Sequence, residues 1–180
     1  MKHSGATLLE LLVVLTIATI LLAIGIPSFA SWVSSGHLTQ ATNSMVASLH
    51  LARSEAIKRN ARTVLCPSAS GTACAASGGW HQGWLMFHDG NNNAVLDAGE
   101  AVIHSQSGLQ DRFRVRGNSH VANYISYTPL GATRTLSGVY QVGTLTVCEV
   151  SASPKLARAI VISSSGRPRT TKLTLASCPA

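Results

Sequence analysis

Ala6 to Ile26 is an apolar run of 21 residues broken by a single charge, Glu10. As a helix rising about 1.5 Å per residue, it spans a hydrocarbon layer of about 30 Å. Lys2 precedes the run, so the short N-terminal end is expected to stay cytoplasmic while the bulk of the chain crosses. An ordinary secretory signal fits less well. Such a signal has a shorter apolar core with no acid inside it and ends at a small-residue cleavage site. Here Pro27 follows a full span, and helical patterning continues beyond it. Without the run, the remainder reads as an ordinary soluble domain with few aromatics.

Glu10 carries the most information. A lone carboxylate at the centre of a bilayer helix costs about 3 kcal/mol on insertion scales and is functional by default. It calls for a cation. The nearby candidate is a free α-amino group, created if the chain is cut just before Ala6, which makes Glu10 the fifth residue of the mature chain. In a filament of parallel helices the Glu10 carboxylate then meets the Ala6 amine of a neighbour. The blander reading is a neutral or uncompensated glutamate near the membrane interface.

The segment Gly5-Ala6-Thr7-Leu8-Leu9-Glu10-Leu11-Leu12-Val13-Val14-Leu15 resembles the class III signal of type IV pilins and type II secretion pseudopilins. That resemblance implies cleavage after Gly5 by a prepilin peptidase and N-methylation of the new first residue. The family usually carries Phe there and this chain has Ala6, a departure that bears on methylation more than on cleavage, which depends mainly on the glycine. Pro27, the 22nd mature residue, also resembles the family, in which a proline kinks the helix at about that point.

From Ser28 to about Asn60 the period stays helical. Leu38, Met45, Leu49, Ala52 and Ala56 form one apolar stripe, with Asn43, Arg53 and Lys58 elsewhere. Together with the span this predicts a helix of about 50 residues and about 80 Å, its second half packed on the head. After Asn60 the period changes. Thr63–Leu65, Trp84–Phe87, Ala101–Ile103, Phe113–Val115, Tyr124–Tyr127, Leu145–Val147, Ala159–Ile162 and Lys172–Leu175 are short, β-rich and punctuated by Gly, Asn, Ser and Pro. The expected class is α+β and pilin-like: a long N-terminal helix, transmembrane in its first half, packed on an antiparallel β-sheet head. The expected organisation is a leader peptide over 1–5, a transmembrane helix over 6–27, its amphipathic continuation over 28–61 and a β-rich periplasmic head over 62–180.

Four cysteines, Cys66, Cys74, Cys148 and Cys178, include no CxxC pair, which argues against a zinc ribbon or a thioredoxin-like site. In an exported head an even count points to two disulfides. Three connectivities are open. Cys66–Cys74 with Cys148–Cys178 is favoured, because the first closes a short Ser/Gly-rich loop and the second ties down the C-terminal segment.

A second resemblance sharpens the first. Ala52–Asn60 closing the helix, Gly83-Trp84 with Phe87 and Asp89, and Gly166-Arg167-Pro168-Arg169 look like the FimT/GspH group, the minor pilins of type IV pili and the H pseudopilin of type II secretion. The likeness covers essentially the whole chain. It implies a single-pass protein of the bacterial inner membrane with its head in the periplasm. Its implied partners are other pilin subunits, met through the N-terminal helix, and the prepilin peptidase.

No catalytic constellation is present. The seven histidines show no HxxxH or HxxEH spacing, and there is no GxSxG elbow or phosphate-binding glycine loop. The chain is therefore expected not to be an enzyme, and no cofactor or metal is implied. Asp89–Glu100 places oxygen-bearing side chains at positions 1, 3, 5, 9 and 12, as an EF-hand loop does, but position 6 is Ala94 instead of Gly and the flanks read as strands. An Asn-rich hairpin turn is the simpler reading. Arg112, Arg114 and Arg116 alternate with Phe113 and Val115, which on a strand sets three guanidinium groups on one face, either as a solvated surface or as a partner surface.

Net charge is +7, and Ser151–Ala180 holds five basic residues and no acid. Such a patch suits an anionic partner or serves only solubility. Within it, Gly166-Arg167-Pro168-Arg169 is expected at the tip of a hairpin, with Arg158 and Lys172 on the same hairpin. Arginine suits phosphate because its planar fork donates two hydrogen bonds. The FimT resemblance associates this Gly-Arg-x-Arg pattern with DNA binding in natural transformation. The candidate DNA-binding set is thus Gly166, Arg167, Arg169, Arg158 and Lys172. The rival is a structural subunit, a type II secretion pseudopilin H or a minor pilin that primes filament assembly.

Overall fold

The computed structural model describes residues 7–151 and 155–179, the side chains of residues 27, 30 and 31 apart. Gly5 and Ala6, the expected processing site, lie outside the described residues. One helix, α1 (Leu8–Arg59), is followed by eight strands: β1 (Thr63–Pro67), β2 (Gly83–His88), β3 (Val102–Ser107), β4 (Phe113–Gly117), β5 (Ile125–Tyr127), β6 (Gly143–Glu149), β7 (Lys155–Ile162) and β8 (Pro168–Leu175). A short 3-10 turn at Trp80–Gln82 leads into β2. The fold is α+β.

The chain divides into two compact units, residues 1–37 and 38–180. In the first, Leu8–Ile26 is long and apolar enough to cross a membrane, and none of it is buried within the molecule. Large side chains such as Leu8, Ile20 and Ile24 stand in the open all round the helix. A helix apolar on every side belongs in lipid or among other helices.

The second unit holds the core. The stripe Leu38, Ala41, Met45, Leu49, Ala52 and Ala56 is buried along the C-terminal part of α1. It packs with Leu65, Trp84, Met86, Ile125 and Tyr127 on one side and Phe113, Val115, Leu145, Val147 and Ile160 on the other. Each fully buried Leu or Met in such a stripe contributes about 1.5–3 kcal/mol. Trp84 Nε1 donates to Ser48 Oγ (2.9 Å), which satisfies the polar atom of a ring that is otherwise entirely enclosed.

The strands form two antiparallel four-stranded sheets, ordered β3-β2-β1-β5 and β4-β6-β7-β8. Alternation along β4 turns Phe113 and Val115 inward and Arg112, Arg114 and Arg116 outward. The second face of the β3-β2-β1-β5 sheet carries a small cluster of its own, Val64, Cys66, Leu85 and Phe87, with Leu96 and Tyr124 against it.

Several strands run longer than the sequence expectation, β3 to Ser107 and β7 from Lys155 among them, and the difference at β8 bears on the basic turn. β8 begins at Pro168 and pairs with β7 from Pro168↔Ile162 to Leu175↔Lys155. Arg169 is therefore a strand residue, and the turn is Ser163–Arg167. Proline is tolerated here because β8 is the edge of its sheet, where a missing N–H breaks no ladder on the outer side.

Candidate nucleic-acid interface

The β7–β8 turn is held from three directions. Gly166 N donates to Ser163 O (2.8 Å), closing the turn. Thr133 Oγ1 donates to Ser163 O (3.1 Å) from the neighbouring loop. Gly166 has φ +74°, and a Cβ placed on it would lie 2.2 Å from Gly131 O and 2.9 Å from Tyr127 Cε1. Only glycine fits both the left-handed backbone and the close approach. Beneath it, burial pushes the Tyr127 phenol well above its ordinary range, with the nearby charge of Arg53 acting the other way. Arg53, in the last two turns of α1, donates from Nε to Gly131 O (2.9 Å). The turn that carries Arg167 thus rests on a second turn, which is bolted to the helix.

Of the five expected DNA-binding residues, Gly166 and Arg167 lie in the turn, and register separates the other three onto two faces. Arg169 stands opposite Val161, and Lys172 opposite Arg158. Ile160 and Ile162 point into the core, so Arg158 and Lys172 share the helix side of the sheet and Arg169 projects from the outer side. Arg167 and Arg169 are exposed, as is Lys172. Arg158 is half-buried and its Nη2 donates to Thr39 Oγ1 (2.7 Å) on α1. Its Nε is buried and makes no hydrogen bond. The hairpin-tip expectation therefore needs correction: Arg167 is at the turn, Arg169 and Lys172 leave opposite faces of an edge strand, and Arg158 braces the sheet against the helix. Arg53, a helix residue outside the expected set, supports the site. Its signal was an arginine set among the buried stripe positions Leu49, Ala52 and Ala56.

From Arg112 onward Glu149 is the single acidic residue, and it is buried. Of the other acids, Glu55 pairs with Arg59 (2.6 Å), and that hydrogen bond holds its carboxyl below the usual range. Asp89, Asp97 and Glu100 are laced into the β2–β3 loop. Both Asp89 oxygens accept backbone N–H groups, from Asn93 and Ala94 (3.0 Å each). Asp97 accepts from Asn91 and Asn93, and Glu100 from the Gly90 and Asp97 backbone. Ala94, at the place an EF-hand gives to glycine, takes φ +56°. Among the described residues no group of three His, Cys, Asp or Glu side chains is placed to hold a metal ion. Near the β4 edge, burial lowers the His81 pKa, Arg114 and Arg116 adding to the effect while the Val115 backbone opposes it.

Both disulfides are formed in the favoured pairing. Cys66–Cys74 closes an eight-residue separation and Cys148–Cys178 one of 30, with Cα–Cα distances of 5.6 and 5.7 Å. The second ties the segment after β8 back to β6, across β7. Glu10 is exposed in the first turn of α1, its backbone N–H bonded to Thr7 Oγ1 (3.3 Å).

A family model described as type II transport protein GspH matches residues 41–166. The chain belongs to the GspH family. A second model, the prokaryotic N-terminal methylation motif, matches residues 1–26. The chain is 35% identical to the pilin-like protein PilA1 of Thermus thermophilus over 116 residues, 64% of this chain and 67% of that protein. Two crystal structures of the type IV minor pilin FimU of Pseudomonas aeruginosa share the fold. They have TM-scores of 0.53 and 0.56 at 19% and 18% identity, and the match covers 74% and 78% of this chain and 92% of each FimU chain. This GspH-family chain is thus a pilin-like subunit of the minor-pilin and pseudopilin group. Its apolar helix and methylation motif fit a membrane-anchored filament subunit that associates with other pilins. The GspH match ends at Gly166, so Arg167 and all of β8 lie beyond the matched segment.

Proposed function

We propose that this GspH-family chain is a minor pilin of a type IV pilus that binds extracellular DNA without sequence preference, for uptake in natural transformation. The observation that carries the reading is the acid-free basic hairpin: Arg167 and Arg169 are exposed on a braced turn and edge strand, and Lys172 is exposed on the other face of the same strand. A subunit that only packs in a filament has no need of such a surface. Arg158 serves the site by fixing β7 to α1, and Gly166 by allowing the turn. Phosphate contact dominates this binding, and few aromatic side chains are available for stacking on bases. The role is one of binding, with no catalytic step.

The same reading includes processing. Prepilin peptidase cuts between Gly5 and Ala6, Ala6 is methylated, and Glu10 answers a neighbour's new amine when the helices assemble. Residues 6–27 then form a single span of the inner membrane, the helix continues to Arg59 and 62–180 form the head in the periplasm.

The test is DNA binding by the head lacking residues 1–27, followed over a range of salt. Expected affinity is on the order of 10⁻⁴–10⁻⁶ M, as for non-specific binding, and each phosphate contact adds about 0.9 to the slope of log K against log salt. Arg167→Gln with Arg169→Gln should flatten that slope by about 1.8 and abolish transformation, while the head stays folded and pili still form. A wild-type head with no salt-dependent binding leaves the second reading, a type II secretion pseudopilin H or a structural minor pilin, which the matched family's description favours.

A further inference from the structure

Strand order and register place more arginine on the outer face of the β4-β6-β7-β8 sheet than the hairpin alone supplies. β4 and β8 are its two edges. Across that face Arg116, Thr146, Ala159 and Thr171 stand in one row, and Thr144, Val161 and Arg169 in the next. The floor between the edges is Thr, Ala and Val, with no acid. Thr171 and Val161 are exposed, whereas in the adjoining row, beside Arg114, Cys148 and Ala157 are buried where the Cys148–Cys178 bridge brings the segment after β8 back over the sheet, so the open floor is the two rows above. With strands about 4.8 Å apart, the edges are separated by about 14 Å.

On the β4 edge the guanidinium groups are already oriented. Arg114 Nη1 donates to the backbone oxygens of Asp111 and Phe113 (3.0 and 3.1 Å), and Arg116 Nη1 donates to Gly78 O (2.7 Å). Each guanidinium has five N–H donors, so these anchors leave others for a ligand. Two cationic edges either side of an acid-free floor complement a duplex, whose two phosphate strands border a major groove about 12 Å wide.

We propose that duplex DNA lies across the outer face of the β4-β6-β7-β8 sheet, with one backbone strand on Arg114 and Arg116 and the other on Arg167 and Arg169. This rests on the DNA-binding reading above and changes its geometry from a tip contact to a two-edged face. The short floor side chains cannot reach base edges, which keeps the contact independent of sequence.

The experiment is fluorescence anisotropy of the full chain in a neutral detergent with a 30-base-pair duplex, across a salt series. Arg114→Gln with Arg116→Gln is expected to flatten the log K versus log salt slope by about 1.8, as much as the Arg167→Gln, Arg169→Gln pair does. Arg114→Lys with Arg116→Lys keeps the charge and is expected to restore most of the slope, which separates lost contacts from lost folding. Lys58→Gln with Arg59→Gln removes equal charge from the end of α1 and is expected to leave the slope near the wild-type value. An unchanged slope in the Arg114/Arg116 glutamine variant, with loss in the Arg167/Arg169 variant, overturns the face and leaves the hairpin reading standing. Equal loss in the Lys58/Arg59 variant overturns the face in favour of diffuse charge. Absence of salt-dependent binding by the wild-type chain overturns both.

Discussion

Gly166 shows how a single position sets the basic turn without carrying charge. It needs a left-handed backbone and contact with Gly131 O that no side chain permits. Gly166→Ala is expected to cost about 1–3 kcal/mol in thermal or denaturant unfolding and to weaken DNA binding, although no cation is removed. The arginine-to-glutamine pair at 167 and 169 should behave the opposite way, losing binding with its melting temperature unchanged. A Gly166→Ala protein as stable as wild type would show that the turn is not held as described. The glycine and the two arginines are close in the sequence, yet they act through different physics: one through space, the others through charge.

β8 is held on one side only, and most of its side chains are exposed. Its far end is secured by Cys148–Cys178. In the chain-entropy account, closing that 30-residue separation is worth about 3–4 kcal/mol, against about 2–3 kcal/mol for Cys66–Cys74. The serine pair at 148 and 178 should therefore lower the urea midpoint more than the pair at 66 and 74, and should loosen the strand that carries Arg169. Equal midpoints would mean that edge pairing alone secures β8. Much of this architecture was legible in the sequence. The stripe Leu38, Met45, Leu49, Ala52 and Ala56 announced the buried helix face, because apolar residues recurring every 3.6 positions line one side of a helix. Each β-rich segment marked a real strand. The start of β8 was misjudged because Gly166 and Pro168 read as turn punctuation, and only the sheet order shows that Pro168 sits on an edge. The role of Arg158 was not legible at all. Which face of β7 the helix covers depends on how two sheets share one core, and alternation within a strand says only that two faces exist.

Charge is unevenly divided over the protein. Beyond residue 111 the head is basic apart from buried Glu149, and the apolar helix of the N-terminal unit carries Glu10 as its single charge up to residue 26. The two regions suit two kinds of partner, phosphate for one and neighbouring helices for the other. For the helix, mass spectrometry of membrane-extracted protein should find an N-terminus at Ala6 carrying a methyl group. An N-terminus at Met1, or one beyond Pro27, would contradict the pilin pathway. Glu10→Ala should be cleaved normally yet enter filaments poorly, which immunoblotting of sheared fibres against membranes would reveal. The three tryptophans divide along the same line. Trp80 and Trp84 are wholly enclosed in the head, whereas Trp32 is 72% exposed on the helix. Intrinsic emission from the intact protein is therefore a composite of two colours, blue from the enclosed pair and red from Trp32 in water. Replacing Trp32 with Phe leaves a spectrum that reports head unfolding alone. Keeping it gives a built-in optical sensor whose blue shift records the moment the helix leaves water for detergent, lipid or the side of another subunit.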